Sequence, residues 1–173
     1  DWEVHAAPGH DPHSVILFEP THKILISADA LWANGFGVVF PELEGVEAFH
    51  EVAQTLDLIE SLKPLWVIPG HGAIFANIDA ALEIARKKLD GFVQNPQKHG
   101  RYGAKVLLKY KLLELTEVDQ IAFTAWASAV PYLQILHQTQ APQMPIQEWL
   151  HDMLLDLERS KALAFQDNMV VNL

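Results

Sequence analysis

The sequence predicts an α/β fold followed by a mainly helical C-terminal region. Short apolar runs rich in Val and Ile alternate with amphipathic segments up to about residue 95, whereas the periodicity beyond about residue 99 is almost entirely helical. Of the 173 residues 50% are hydrophobic and 20% are charged, which is typical of a globular protein. We therefore expect two domains, residues 1–98 and residues 99–173.

The first domain is predicted to contain four strands and two helices. The two central runs are separated by Pro20-Thr21-His22, as in a hairpin with a short turn, and the strands cover residues 2–5, 14–19, 23–28 and 65–68. Apolar residues at helical spacing predict helices over residues 46–62 and 78–93, with Asn77 as the N-cap of the second. Residues 30–45 are rich in Gly and aromatic residues, which favours an irregular wall or lid.

The second domain is predicted to end in a helix and a small hairpin. The clearest apolar stripe runs from Ile146 to Leu157, and residues 162–165 and 169–172 flank a Gln-Asp-Asn turn. Thr116-Glu117-Val118-Asp119 has the pattern of a capping box at the start of another helix. Helices followed by a terminal hairpin indicate a winged-helix-like arrangement.

Composition argues against several classes of partner and ligand. The net charge is −10, and residues 100–173 carry six Lys and Arg against eight Asp and Glu, which disfavours nucleic acid. No apolar stretch reaches the roughly 18 to 20 residues of a membrane span, so no membrane partner is expected. Because the chain has no cysteine, any metal ion must be held by His and carboxylate side chains. We expect a cytoplasmic location, since the absence of cysteine fits a reducing compartment.

Three residues next to apolar runs form a candidate metal site. His10 and His71 each lie in a Pro-Gly-His turn, and Asp29 ends the run Lys-Ile-Leu-Ile-Ser-Ala-Asp. Imidazole nitrogens suit zinc, and a carboxylate can bridge two ions about 3.5 to 4 Å apart in hydrolytic sites. The flanking glycines allow tight turns that bring the side chains to a shared centre.

These residues give the stretch from Pro8 to about Phe75 a resemblance to the second half of a metallo-β-lactamase-fold hydrolase. The resemblance implies that His10 and His71 bind different metal ions, that Asp29 bridges both, and that Asp29 is also catalytic by orienting the nucleophile. It also implies an αββα sandwich of which this chain resembles the C-terminal half, followed by the winged-helix-like tail. The family's early His-x-His-x-Asp-His cluster has no match here. We therefore expect a missing N-terminal half of the same protein to supply the other ligands, and the present chain to be inactive alone.

The resemblance implies a hydrolase with two zinc ions in the full-length protein, acting on a small-molecule thioester, ester or lactone. Two alternatives remain open: an iron-dependent sulfur dioxygenase on the same fold, and a non-catalytic interaction or assembly module. Substrate contacts or supporting roles near the metal are predicted for a further set of residues: His13, Ser14, Trp32 and Phe36. Without a partner sheet, the chain is expected to expose an apolar sheet face and to form a homo-oligomer.

Overall fold

The computed structural model describes all 173 residues and divides them into two compact units, Asp1–Pro96 and Gln97–Leu173. The first unit contains β1 (Glu3–Ala6), β2 (Val15–Glu19), β3 (Ile24–Ala28), α1 (Phe40–Leu43), α2 (Phe49–Leu62), β4 (Trp66–Pro69) and α3 (Ile78–Gln94). From Pro96 onward follow α4 (Pro96–Leu115), β5 (Glu117–Asp119), α5 (Gln120–Ala129), α6 (Pro131–Gln140), α7 (Ile146–Arg159), β6 (Leu163–Gln166) and β7 (Met169–Asn172). The predicted α/β fold with a helical C-terminal region is confirmed.

The four-stranded sheet of the first unit has the order β1-β2-β3-β4. The predicted hairpin is confirmed, because β2 pairs with β3 in antiparallel orientation through Leu17 and Ile26. β1 is antiparallel to β2, whereas β4 is parallel to β3. Consequently β1, β3 and β4 run in the same direction, and their carboxyl ends lie at the same edge of the sheet.

The two faces of this sheet differ in exposure. One face is buried and shares the core of the unit with the apolar sides of α2 and α3; its buried residues include Ile16, Phe18, Leu25 and Val67. The strand register places Val4, Leu17, Ile26 and Ile68 in one row across the other face. Val4, Val15 and Trp66 on that face are about half exposed or more. The structure thus has the expected exposed apolar sheet face.

The segment over residues 30–45 is packed into the first unit. It contains a bridge between Trp32 and Gly35 and the short helix α1. Its apolar side chains lie in the core rather than in solvent: Leu31, Phe36, Val38, Val39 and Leu43. Of the two roles considered for this segment, the packing favours a wall.

The second unit has a small sheet of order β5-β7-β6, and the predicted terminal hairpin is confirmed. The predicted capping box at Thr116 is wrong, because residues 117–119 pair with β7 as strand β5. The helix begins one turn later, where the Asp119 carboxylate accepts a hydrogen bond from the Ala122 amide. No helix of the chain has both the length and the apolar character that crossing a membrane requires.

Candidate metal centre

Three strands that run in the same direction place the three predicted ligands. His10 lies in the turn after β1, Asp29 follows β3 directly, and His71 follows β4 after Gly70. Since the carboxyl ends of these strands share one edge of the sheet, side chains that are distant in the sequence meet there. The loop after β1 and the ends of the parallel pair β3 and β4 together form the candidate site.

His10 is held by the loop that contains it and by the segment around Val38. Gly9 has a φ of 133° and lies close to Val52. A Cβ atom on residue 9 would be 2.7 Å from the Cγ2 methyl carbon of Val52. The His10 Nδ1 atom lies 2.6 Å from the Val38 carbonyl oxygen. Because a carbonyl only accepts hydrogen bonds, Nδ1 carries the proton in this contact, which leaves Nε2 as the nitrogen that can serve as a metal ligand.

Asp29 is positioned by a bend at the end of β3. Ala28 has a φ of 46°, in the left-handed region, and the register of β3 against β4 shifts between Ile26 and Ala28. Gly70 donates from its amide to the Ala28 carbonyl and lies against the Asp29 carboxylate, where a Cβ atom would be 2.9 Å from Oδ1. The same oxygen is buried and has no hydrogen-bond partner.

The two histidines approach different oxygens of the Asp29 carboxylate. His10 Nε2 lies 3.3 Å from Oδ2, and His71 Nε2 lies 3.7 Å from Oδ1. The His10 side chain is 26% exposed, whereas that of His71 is 72% exposed and has its ring edge-on to Trp32 at 5.1 Å. The arrangement is one histidine for each oxygen of a shared carboxylate.

This donor set partly fits a metal ion. Two ligands of a tetrahedral zinc ion, each at roughly 2.0 to 2.2 Å, are separated by roughly 3.3 to 3.6 Å. The 3.3 Å separation of His10 Nε2 and Asp29 Oδ2 agrees with this value. A buried carboxylate oxygen without a partner is likewise suited to a cation. However, no group of three or more His, Cys, Asp or Glu side chains is placed to hold one ion. The chain therefore presents two pairs of ligands that share Asp29, rather than a complete site.

The structure brings some of the other predicted residues to the site and leaves others outside it. Trp32 contacts His71 and donates from Nε1 to the Ala28 carbonyl. Phe36 is buried, with its ring edge-on to Phe92 at 6.1 Å. The His13 amide donates to the Asp11 carboxylate and the Ser14 amide donates to the Asp11 carbonyl. Neither the His13 nor the Ser14 side chain has a hydrogen bond, ion pair or ring contact with His10, Asp29 or His71.

Sequence reasoning missed the contribution of Lys88 near the site. Its Nζ atom donates to the Phe36 carbonyl at 2.7 Å and lies within 6 Å of the ring centres of Trp32, Phe36 and Phe92. Burial lowers the pKa of Lys88 to about 8. A signal was present in the sequence, because Lys88 interrupts the apolar stripe of α3 between Ala85 and Phe92.

Known proteins resemble this part of the chain. Residues 1–71 match the family model of the metallo-beta-lactamase superfamily. The predicted resemblance to this family is thereby confirmed, and the matched residues include His10, Asp29 and His71. The correspondence to the C-terminal half of the fold and the winged-helix-like tail stay predictions.

Two solved structures are similar to 99% of this chain, each with 16% sequence identity. One is a metallo-beta-lactamase family protein from Thermus thermophilus, with a TM-score of 0.44 and 49% of its length covered. The other is a beta-lactamase domain protein from Burkholderia ambifaria, with a TM-score of 0.45 and 47% of its length covered. The chain thus spans about half the length of each. No curated protein matches the sequence.

Proposed function

We propose that this chain supplies half of the ligands of a dinuclear metal centre, most suited to zinc, in a hydrolase of a thioester, ester or lactone. The observation that carries the proposal is the approach of His10 and His71 to opposite oxygens of Asp29. A carboxylate with one histidine at each oxygen has the donors of a bridging ligand between two ions. The remaining ligands would come from a segment with the His-x-His-x-Asp-His pattern, in a missing N-terminal half of the same protein.

Each ligand has a distinct part in this proposal. His10 would present Nε2 to one ion while the Val38 carbonyl fixes its ring, and His71 would present Nε2 to the other ion from a more exposed position. Asp29 would hold both ions and orient the attacking water. The ions would lower the pKa of that water and polarise the carbonyl group of the substrate.

Metal titration of the 173-residue chain tests the proposal. We expect measurable zinc binding by calorimetry and elemental analysis, and a loss of affinity of roughly tenfold or more in Asp29→Asn. Asp152→Asn, at an exposed position of α7, is the matched control and should bind as the wild type does. His71→Ala should weaken binding, whereas His50→Ala in the first turn of α2 should not.

Two results would contradict the proposal: an absence of zinc or iron binding by the wild-type chain, or unchanged binding in Asp29→Asn. Preferential retention of iron over zinc would favour oxidation of a sulfur substrate instead. A non-catalytic assembly module is the second candidate, and the apolar sheet face with the exposed residues Val4, Val15 and Trp66 favours it. A stable homo-oligomer without metal affinity would support that candidate.

A further inference from the structure

Lys88 is a half-buried lysine at the edge of the buried stripe of α3, whose members are apolar: Ile78, Ala81, Leu82, Ala85, Leu89 and Phe92. Its side chain leaves this stripe toward the segment that follows Asp29. There the ammonium group lies 4.8 Å from the Phe36 ring centre and 5.9 Å from that of Trp32. A cation over aromatic faces is attracted by their quadrupoles, and the attraction is stronger where water is excluded. Lys88 is therefore well placed to fix this segment.

Consecutive residues of the segment contact Lys88 and the candidate ligands in turn. Gly35 lies against the Lys88 stem, where a Cβ atom would be 2.9 Å from Cδ, and the Phe36 carbonyl accepts the hydrogen bond from Nζ. Gly37 then lies against both His10 and Asp29, and its amide donates to the Asp29 carbonyl. The next carbonyl, that of Val38, binds Nδ1 of His10. Only one residue, Gly37, lies between Phe36, whose carbonyl Lys88 holds, and Val38, whose carbonyl orients His10.

A second connection runs through Trp32 to His71. The Trp32 ring lies beneath the Lys88 ammonium group and edge-on to His71, at 5.1 Å between ring centres. His71 is mostly exposed, so Trp32 is its main ring contact in the structure. Displacement of Trp32 would therefore remove this ring contact and leave Asp29 as the neighbour of the His71 imidazole.

We propose that Lys88 is a positioning residue for the candidate metal centre. It acts through residues 32–38, which fix the ring of His10 and include Trp32, the ring that contacts His71. This role rests on the proposed function, since positioning matters chemically only if the two histidines bind metal. Groups that orient metal ligands typically change metal affinity by about 10- to 100-fold when they are removed.

The first test is a spectroscopic signature of His10 in the metal-free chain. Its Nδ1 proton, bound to the Val38 carbonyl, should give a protected, downfield ¹H–¹⁵N resonance in the wild type. We expect Lys88→Met to lose or shift this resonance, and Lys88→Arg, which keeps a cationic donor, to restore it. Lys87→Met changes the exposed neighbour on the same helix and should leave the resonance unchanged. A purely structural role would lower the thermal stability without altering the His10 signal of the folded protein.

The second test is zinc affinity, which should fall about 10-fold or more in Lys88→Met but not in Lys87→Met. If Lys88→Met does not fold, Lys88→Gln replaces it in the comparison with Lys87→Met. The glutamine side chain carries no charge and is one atom shorter than that of lysine. An unchanged His10 resonance together with zinc affinity within twofold of the wild type, in a folded Lys88→Met or Lys88→Gln protein, would overturn the proposal. The two proposals fail separately. A wild-type chain without zinc affinity refutes the metal function, whereas the His10 resonance still reports whether Lys88 positions that ring.

Discussion

Replacing Gly37 with alanine should disturb the candidate metal centre directly. A Cβ atom at this position would lie 2.8 Å from His10 Nδ1 and 3.0 Å from the Asp29 Cβ, whereas ordinary contacts begin at 3.4 Å. To restore an ordinary contact of 3.4 Å, the His10 ring at 2.8 Å would have to move by about 0.6 Å. Asp29, at 3.0 Å, would have to move by about 0.4 Å. Neither neighbour can give way easily, because the Val38 carbonyl binds His10 and the Gly37 amide binds the backbone of Asp29.

We expect two consequences of Gly37→Ala. Overpacking of a tight contact typically lowers the free energy of unfolding by about 1 to 3 kcal/mol. In addition, the separation of His10 Nε2 and Asp29 Oδ2, now 3.3 Å, would no longer suit a shared ion, so zinc affinity should fall by roughly 10- to 100-fold. Denaturant unfolding measures the first effect, and calorimetric zinc titration of the folded variant measures the second.

Gly91→Ala is the control for this substitution. Gly91 lies within α3, and a Cβ atom there would meet no atom within 4 Å. Alanine in an open helical position should raise the free energy of unfolding by about 0.5 to 1 kcal/mol and leave zinc binding unchanged. Zinc affinity of Gly37→Ala within twofold of the wild type would refute the assignment of His10 and Asp29 as a ligand pair.

Three further substitutions test other parts of the structure. Hydrogen bonds from the backbone amides of His22 and Thr21 lower the pKa of Glu19 to about 2. The ionised Glu19 therefore stabilises the folded state above its ordinary pKa, and this stabilisation is lost as pH falls from about 4.5 to 2. Glu19→Gln should weaken this dependence when unfolding is measured against pH. Lys109 donates to the Ala162 and Leu173 carbonyls and to Asn172, so Lys109→Met should lower the midpoint of thermal unfolding, at a free-energy cost of about 1 to 3 kcal/mol. Trp66→Glu places a charge on the exposed sheet face and should shift sedimentation toward monomer; an unchanged distribution would contradict self-association through that face.

The elements with strong local patterns were predictable from the sequence. The strands β2 and β3 are short apolar runs rich in Val and Ile, separated by a Pro-containing turn, and α7 has a continuous apolar stripe. The prediction for Thr116–Asp119 is wrong because its polar residues fit a helix start equally well. Only the pairing with β7, about 50 residues later in the chain, makes residues 117–119 a strand. Long-range pairing of this kind leaves no local signal.

The residues of the candidate site could be predicted from the sequence, but the backbone contacts that hold these residues in place could not. The Pro-Gly-His turns and the strand-terminal aspartate are local features, and the structure brings His10, Asp29 and His71 together. The roles of Gly37 and the Val38 carbonyl depend on how residues 30–45 fold back over β3, which the sequence pattern does not specify. Whether these ligands bind metal, and whether His13 and Ser14 contribute, stay predictions.

The left-handed backbone of Ala28 has an energetic consequence for the residue that follows it. An L-residue with a side chain in this region is less stable than glycine by roughly 1 to 2 kcal/mol, and Ala28 has a φ of 46°. The packing of the Ala28 carbonyl and the Asp29 carboxylate against Gly70 must offset this strain. The carboxylate is therefore held by a conformation that the isolated strand would not adopt, and its placement depends on the folded sheet as a whole. Local loosening between β3 and β4 would relax Ala28 and withdraw Asp29 from both histidines at once.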